Sequence, residues 1–196
     1  YHIYAMDGPQ ERSHVGSVET DEPAYMHSFA ITPRYVILTE FPLRLDPSRF
    51  LKPGRQAPFI EQFEWEPDRG TRVIVVDRTT GETVATPTAE PIFGFHHVNA
   101  FERSGGDEIV FDLETVPDAT TIDSLYLSEL RGGDLDTLAG RLDRFTVSLT
   151  HDGRDGPNGA DIERETLYDD GTALPTVSPT RWCRRHRYVY AMSMDQ

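Results

Sequence analysis

"IFGFHHVNAFE" (92–102), "RSGGD" (103–107) and "EIVFDLETV" (108–116) form the stretch on which the fold turns. Aromatic and β-branched residues fill both flanks, and a polar, glycine-rich turn separates them, which predicts an antiparallel hairpin. Successive side chains on a strand point to opposite faces, so His96 and His97 cannot serve one purpose. The same design occurs earlier, where "HSFAIT" (27–32) is followed by a Pro-Arg turn and "YVILTE" (35–40). In each case a histidine-bearing strand, a polar turn and an apolar strand ending in an acid follow in order.

Strand signals dominate outward from this pair. "YHIYAM" (1–6), "HVGSVE" (14–19), "YMHSFAIT" (25–32), "RVIVVD" (72–77) and "ETVATPT" (82–88) are short β-rich runs, the last two joined by "RTTG" with Gly81 closing the turn. Further strands are expected near 144–150, 161–167 and 187–194, and one helix over "IDSLYLSELRGG" (122–133). Many short strands at regular spacing imply an all-β sandwich, barrel or propeller. The repeated histidine unit, and the echo of "YHIYAM" in "YVYAM" (188–192), favour the propeller. At about four strands per blade the chain holds roughly four blades at most. Residues 1–196 are therefore expected to form one partial propeller domain whose remaining chain lies elsewhere.

The formal charge is −14, from 33 acidic and 19 basic residues, with Lys52 as the single lysine. Acids spread through nearly every predicted loop, the pattern of a salt-adapted (halophilic) surface whose self-repulsion is screened by concentrated salt. That balance argues against nucleic acid as a partner. The basic run "RWCRRHR" (181–187) is expected to pair with local acids. Cys183 is alone, so an intrachain disulfide and a cysteine-based zinc site are excluded, and a reducing cytoplasm is expected. "HDGRDGPNGAD" (151–161) has the composition of a calcium loop without EF-hand spacing.

Of seven histidines, His2, His14, His151 and His186 sit beside charged or turn residues, where a solvated imidazole is the default. His27 and His96 lie inside apolar β-rich runs. A buried imidazole needs partners for both ring nitrogens, and one alone is by default a core residue bonded to backbone. Two on repeated units raise metal ligation to an equal footing. Ligand type alone leaves iron, copper, zinc and nickel open. No HExxH, phosphate loop or nucleophile elbow is present.

"YMHSFAITPRYVILTEFPLRLDPSRFL" (25–51), "FGFHHVNAFE" (93–102), the "DRTTGE" hairpin (77–82) between them and "RYVYAM" (187–192) resemble the carotenoid cleavage oxygenases, a family that includes the retinal-pigment-epithelium isomerase. The resemblance runs in order across essentially the whole chain. It implies a seven-bladed β-propeller with ferrous iron (Fe2+) on its axis, held by four histidines. It also implies an apolar tunnel for a carotenoid or apocarotenoid substrate, whose double bond is cleaved with O2 to two carbonyl products. His27 and His96 match two of the four ligands. Plant members carry leucine in place of His97, which implies that His97 faces away from the metal. The other two ligand motifs match nothing in residues 1–196, so segments outside them are expected to complete the propeller and the site. The family's glutamate that orients one iron-bound histidine falls at Ala173 of "ALPTVSP" (173–179), which leaves His96 to be oriented by another group, such as water or a backbone carbonyl, or points to a different chemistry. Ala173 also keeps open a second reading, a degenerate propeller that binds an apolar pigment without cleaving it. The family's membrane-dipping segment corresponds to the weakly apolar "KPGRQAPFIEQ" (52–62), which predicts at most peripheral membrane contact.

Overall fold

The computed structural model describes residues 1–51, 58–132, 139–149 and 156–193. Short β-rich runs become β1 (His2–Met6), β2 (Arg12–Ser17), β3 (Ala30–Ile31), β4 (Tyr35–Glu40), β5 (Leu43–Leu45), β6 (Phe63–Trp65) and β7 (Thr71–Asp77). They continue as β8 (Thr83–Ala85), β9 (Thr88–Ala89), β10 (His97–Arg103), β11 (Glu108–Thr115), β12 (Gly140–Ser148), β13 (Asp161–Thr176) and β14 (Tyr190–Ser193). One five-stranded sheet runs β3-β4-β7-β8, with β9 also paired to β7; a second runs β10-β11-β12-β13-β14 as an antiparallel meander. β1 with β2, and β5 with β6, make separate antiparallel pairs.

The main core lies where the two large sheets meet. Ile37, Val73 and Val75 of the first pack with Ile109, Phe111, Leu113, Phe145 and Val147 of the second, around Phe41 and Phe93. Alternation places Val36, Leu38, Ile74 and Val76 on the other face of the first sheet, under Tyr1, Ile3 and Val18. β4 and the centre of β7 are thus covered on both sides, which is why "YVIL" and "VIVV" read as unbroken apolar runs. Phe111 and Phe145 stack across neighbouring strands with ring centroids 5.0 Å apart, a pairing that adds about 1 kcal/mol beyond the buried area.

Charged groups inside the second sheet are paired. Arg144 grips Asp112 in a two-pronged contact of 2.8 and 2.9 Å. Asp143, fully buried, accepts from Thr166 at 2.7 Å, from Arg164 and from Thr115. Asp143→Ala would strip three donors of their acceptor at once, and is expected to destabilise the fold by about 3 kcal/mol in urea unfolding.

Three local expectations are corrected. Residues 25–32 are not one strand: only Ala30–Ile31 joins a ladder, with Ala24 in an isolated bridge to Arg44. The run 82–88 is split into β8 and β9 around Pro87, which has no N–H for a ladder; its carbonyl instead accepts from Val73 N–H. The helix expected over 122–133 forms as two short pieces. A 3-10 helix, Ala119–Leu125, is capped by Asp118 accepting from Thr120 N–H, and α1 (Leu127–Gly132) follows after an extended Tyr126. Thr120, Thr121 and Ile122 are β-branched, which disfavours a continuous α-helix there. Gly133 lies outside the described residues. Among the described residues the architecture is mostly β with little helix, and its two five-stranded sheets do not by themselves make seven blades. Among the described residues no helix is long and apolar enough to cross a membrane.

Candidate metal centre

Both singled-out histidines lie at the mouths of strands and not within them. His27 sits three residues before β3, and His96 immediately before β10. Their rings meet edge to face, centroids 5.3 Å apart at 87°. Residues 69 positions apart in sequence therefore present imidazoles to one space. Phe95 packs edge-on to His27 at 5.3 Å, and Tyr25 stacks on its other side at 6.4 Å. Partial burial among these rings, and then the neighbouring His96, hold the His27 pKa below the ordinary histidine range. The neutral imidazole, the form that ligates metals, is thereby favoured.

His97 points into the structure, as the alternation of faces demands. Ser28 donates its hydroxyl proton to Phe95 O (2.7 Å), so Ser28 Oγ accepts from both His97 N–H and His97 Nδ1–H, each at 2.9 Å. The remaining ring nitrogen, Nε2, then accepts from Thr39 Oγ1 at 2.9 Å. This network assigns a neutral, Nδ1-protonated ring, and burial pushes its pKa down to about 3. Ser28 follows His27 and His97 follows His96, so the bonds between them pin the backbones of the two candidate ligands to each other.

Glu114 completes the arrangement. Its Oε2 lies 2.6 Å from His96 Nδ1. A carboxylate only accepts, so Nδ1 carries the proton and Nε2 keeps a lone pair. Burial pushes the Glu114 carboxyl above the ordinary carboxylate range, against the pull of His96 and of the Leu174 N–H that donates to it. Of the alternatives that Ala173 left open, the structure shows another group on His96: a carboxylate on β11 in place of water or a backbone carbonyl. Its signal was the acid ending "EIVFDLE", whose partner strand begins at the histidines.

His27, His96 and Glu114 open on a cavity of about 460 Å³ walled by Tyr25, Phe95, Val116, Leu125, Leu174 and Met192, with Ala173 on its rim. The walls are apolar and aromatic, suited to a hydrocarbon ligand. Among the described residues no group of three or more His, Cys, Asp or Glu could hold a metal. The two imidazoles fit part of a ligand shell and not the whole of one.

Among the described residues, the other histidines stay apart from this space. His2 and His14 share Ser17 Oγ on the exposed β1–β2 pair. His186 is buried, contrary to the solvated default, with Nε2 2.9 Å from Asp112 Oδ2 but off the hydrogen-bond direction. Asn99 ties that segment down, accepting from Cys183 N–H and donating to the Arg181 and Arg184 carbonyls. Through His186 the basic run does meet an acid, while the Arg181, Arg184 and Arg185 residues stand exposed. His151 and most of the calcium-like loop, and residues 52–57 of the membrane-contact segment, lie outside the described residues.

Residues 1–196 match the sequence profile of the retinal pigment epithelial membrane protein family. The chain is 34% identical over 197 residues to a carotenoid cleavage dioxygenase 8 homolog of Oryza sativa, spanning 94% of this chain and 34% of the relative. It is 32% identical over 168 residues to the apocarotenoid-15,15'-oxygenase of Synechocystis, spanning 85% of this chain and 31% of that protein. Among solved structures, a cobalt-substituted Synechocystis oxygenase superposes with a TM-score of 0.68 at 30% identity, over 87% of this chain and 33% of that one. The chain spans about a third of the length of the relatives it matches.

Proposed function

The chain belongs to the retinal pigment epithelial membrane protein family, and on that footing we propose that it is the central part of an iron(II)-dependent dioxygenase. Its substrates are a carotenoid or apocarotenoid and O2. The substrate double bond breaks and each of its carbons gains one oxygen, giving two carbonyl products. One observation carries this reading: two histidines far apart in sequence converge, 5.3 Å between ring centroids, at the mouth of an apolar, aromatic-walled cavity. Residues 1–196 are then one partial propeller domain, and chain outside them supplies the remaining blades and two further imidazoles. His27, exposed on the open side of the cavity, is where that added chain would close the shell.

A ferrous ion bound here would supply dioxygen binding and redox chemistry. His27 and His96 would hold it through neutral imidazoles, the chemistry expected of iron, copper or zinc sites. Ser28 and His97 keep the two residues in register, and Glu114 holds the Nδ1 proton of His96, so that Nε2 would be free to bind the ion. Tyr25, Phe95 and Leu125 exclude water and receive the polyene. The relatives that match are named as oxygenases of carotenoids and apocarotenoids, and a solved neighbour is described as cobalt-substituted, which supports a metal here. The pigment-binding alternative rested on Ala173; the Glu114 carboxylate on His96 favours the oxygenase reading over it.

The test uses the complete gene product. Iron content and O2-dependent bleaching of an apocarotenal are measured together, with carbonyl products identified by mass. Bleaching with two carbonyl fragments is expected; tight pigment binding without fragments, iron and O2 being present, would overturn cleavage.

A further inference from the structure

Glu114 occupies a space shaped around it. Gly140, opening β12, lacks a Cβ that would stand 2.8 Å from Glu114 Cγ. Gly94 lacks one that would stand 2.4 Å from the Glu114 carbonyl oxygen. Neither glycine tolerates a side chain without moving the carboxylate or its strand. Leu174 sits at φ 53°, the left-handed region, where a residue with a Cβ is held only under strain. From that position its N–H donates to the Glu114 carboxylate. The β13–β14 ladder breaks at the same point, with a register shift between Ala173 and Thr176. Strained backbone kept at a site is characteristic of a functional constraint.

We propose that Glu114 is the positioning residue of His96, and that it does from β11 what the family resemblance assigns to residue 173 on β13. This rests on the reading of His27 and His96 as metal ligands. Glu114 and Ala173 line the same cavity. Two carboxylates there would repel, so a glutamate on one strand calls for a small neutral residue on the other. The orienting group has changed strands: Glu114 is present, Ala173 makes room, and the Leu174 amide next to Ala173 bonds the incoming carboxylate. His96 is thereby fixed in ring angle and tautomer, with Nε2 free.

The test uses the metal-free complete gene product, titrated with Co(II) and followed by visible absorption. Histidine-selective nitrogen NMR of the same metal-free protein reads the His96 tautomer. Glu114→Ala is expected to weaken Co(II) binding about 10–100-fold and to return His96 to a mixture of tautomers, which a merely structural role would not do. Glu114→Ala combined with Ala173→Glu is expected to regain at least about tenfold of that affinity, as a carboxylate restored from the other strand should. If Glu114→Ala does not fold, Glu114→Gln keeps the shape over Gly140 and is expected to bind Co(II) several-fold more weakly. Unchanged affinity in whichever variant folds, with His27→Ala and His96→Ala both having lost Co(II), overturns the positioning role and leaves the ligands standing. A double variant no better than Glu114→Ala overturns the change of strands. Unchanged affinity in His27→Ala and His96→Ala would instead overturn the underlying metal reading.

Discussion

In the complete gene product, His27→Ala is expected to lose metal and activity by more than 100-fold while its metal-free fold stays close to native stability. Loss of an outer partner of a metal ligand commonly costs about 10–100-fold, so loss of a ligand itself should exceed that. The imidazole is exposed, and its polar contact, Tyr25 Oη at 3.4 Å, is long, so removal leaves little unsatisfied. His96→Ala is expected to lose metal to the same degree but also to unfold more easily. It takes from Glu114, whose side chain is only 8% exposed, its side-chain partner, and losing a partner at a buried polar group costs about 1–3 kcal/mol. The contrast separates ligation from folding. Iron content, Co(II) affinity and urea midpoints of the two variants check it, and full activity in either would end the ligand assignment.

Much of this arrangement was legible in the residues. The repeated design of His strand, turn and apolar strand places β3–β4 and β10–β11 correctly, and opposite faces for His96 and His97 follow from alternation alone. The placing of Glu114 could not be read that way. Continuing the ladder from Ala100↔Phe111 and Asn99↔Asp112 would set His97 across from Glu114. A bulge at Val98 intervenes, His97 faces Leu113, and Glu114 N–H donates to the His96 carbonyl. One extra residue thus re-aims the acid from the structural histidine to the proposed ligand. Bulges leave no compositional mark, so the register shift was invisible to pattern. Similarly, "YMHSFAIT" has the composition of a strand. Its histidine lies outside the ladder because Ser28 and Tyr25 bond side chains and neighbouring backbone, Tyr25 N–H to the Leu43 carbonyl and Ser28 Oγ to the Phe95 carbonyl.

The structural histidine makes the metal-free protein acid-sensitive in a way that can be isolated. His97 has a folded pKa of about 3, against about 6.5 for an unburied imidazole. Between those values the unfolded chain binds a proton that the folded chain refuses, so stability falls as pH falls. The contribution is fully present above pH 6.5 and is lost progressively down to about pH 3; over that window it amounts to on the order of 5 kcal/mol. His97→Leu removes the titrating ring, and leaves Ser28 Oγ and Thr39 Oγ1 without their imidazole partners. At pH 7 the variant is expected to be less stable, by about 1–3 kcal/mol. As pH falls the wild type should lose stability faster, so the two curves converge and then cross. Every other ionisable group is common to the two proteins and largely cancels in the difference. Urea unfolding of metal-free protein at pH 7, 5.5 and 4 measures this, and parallel curves would contradict the neutral, doubly bonded His97.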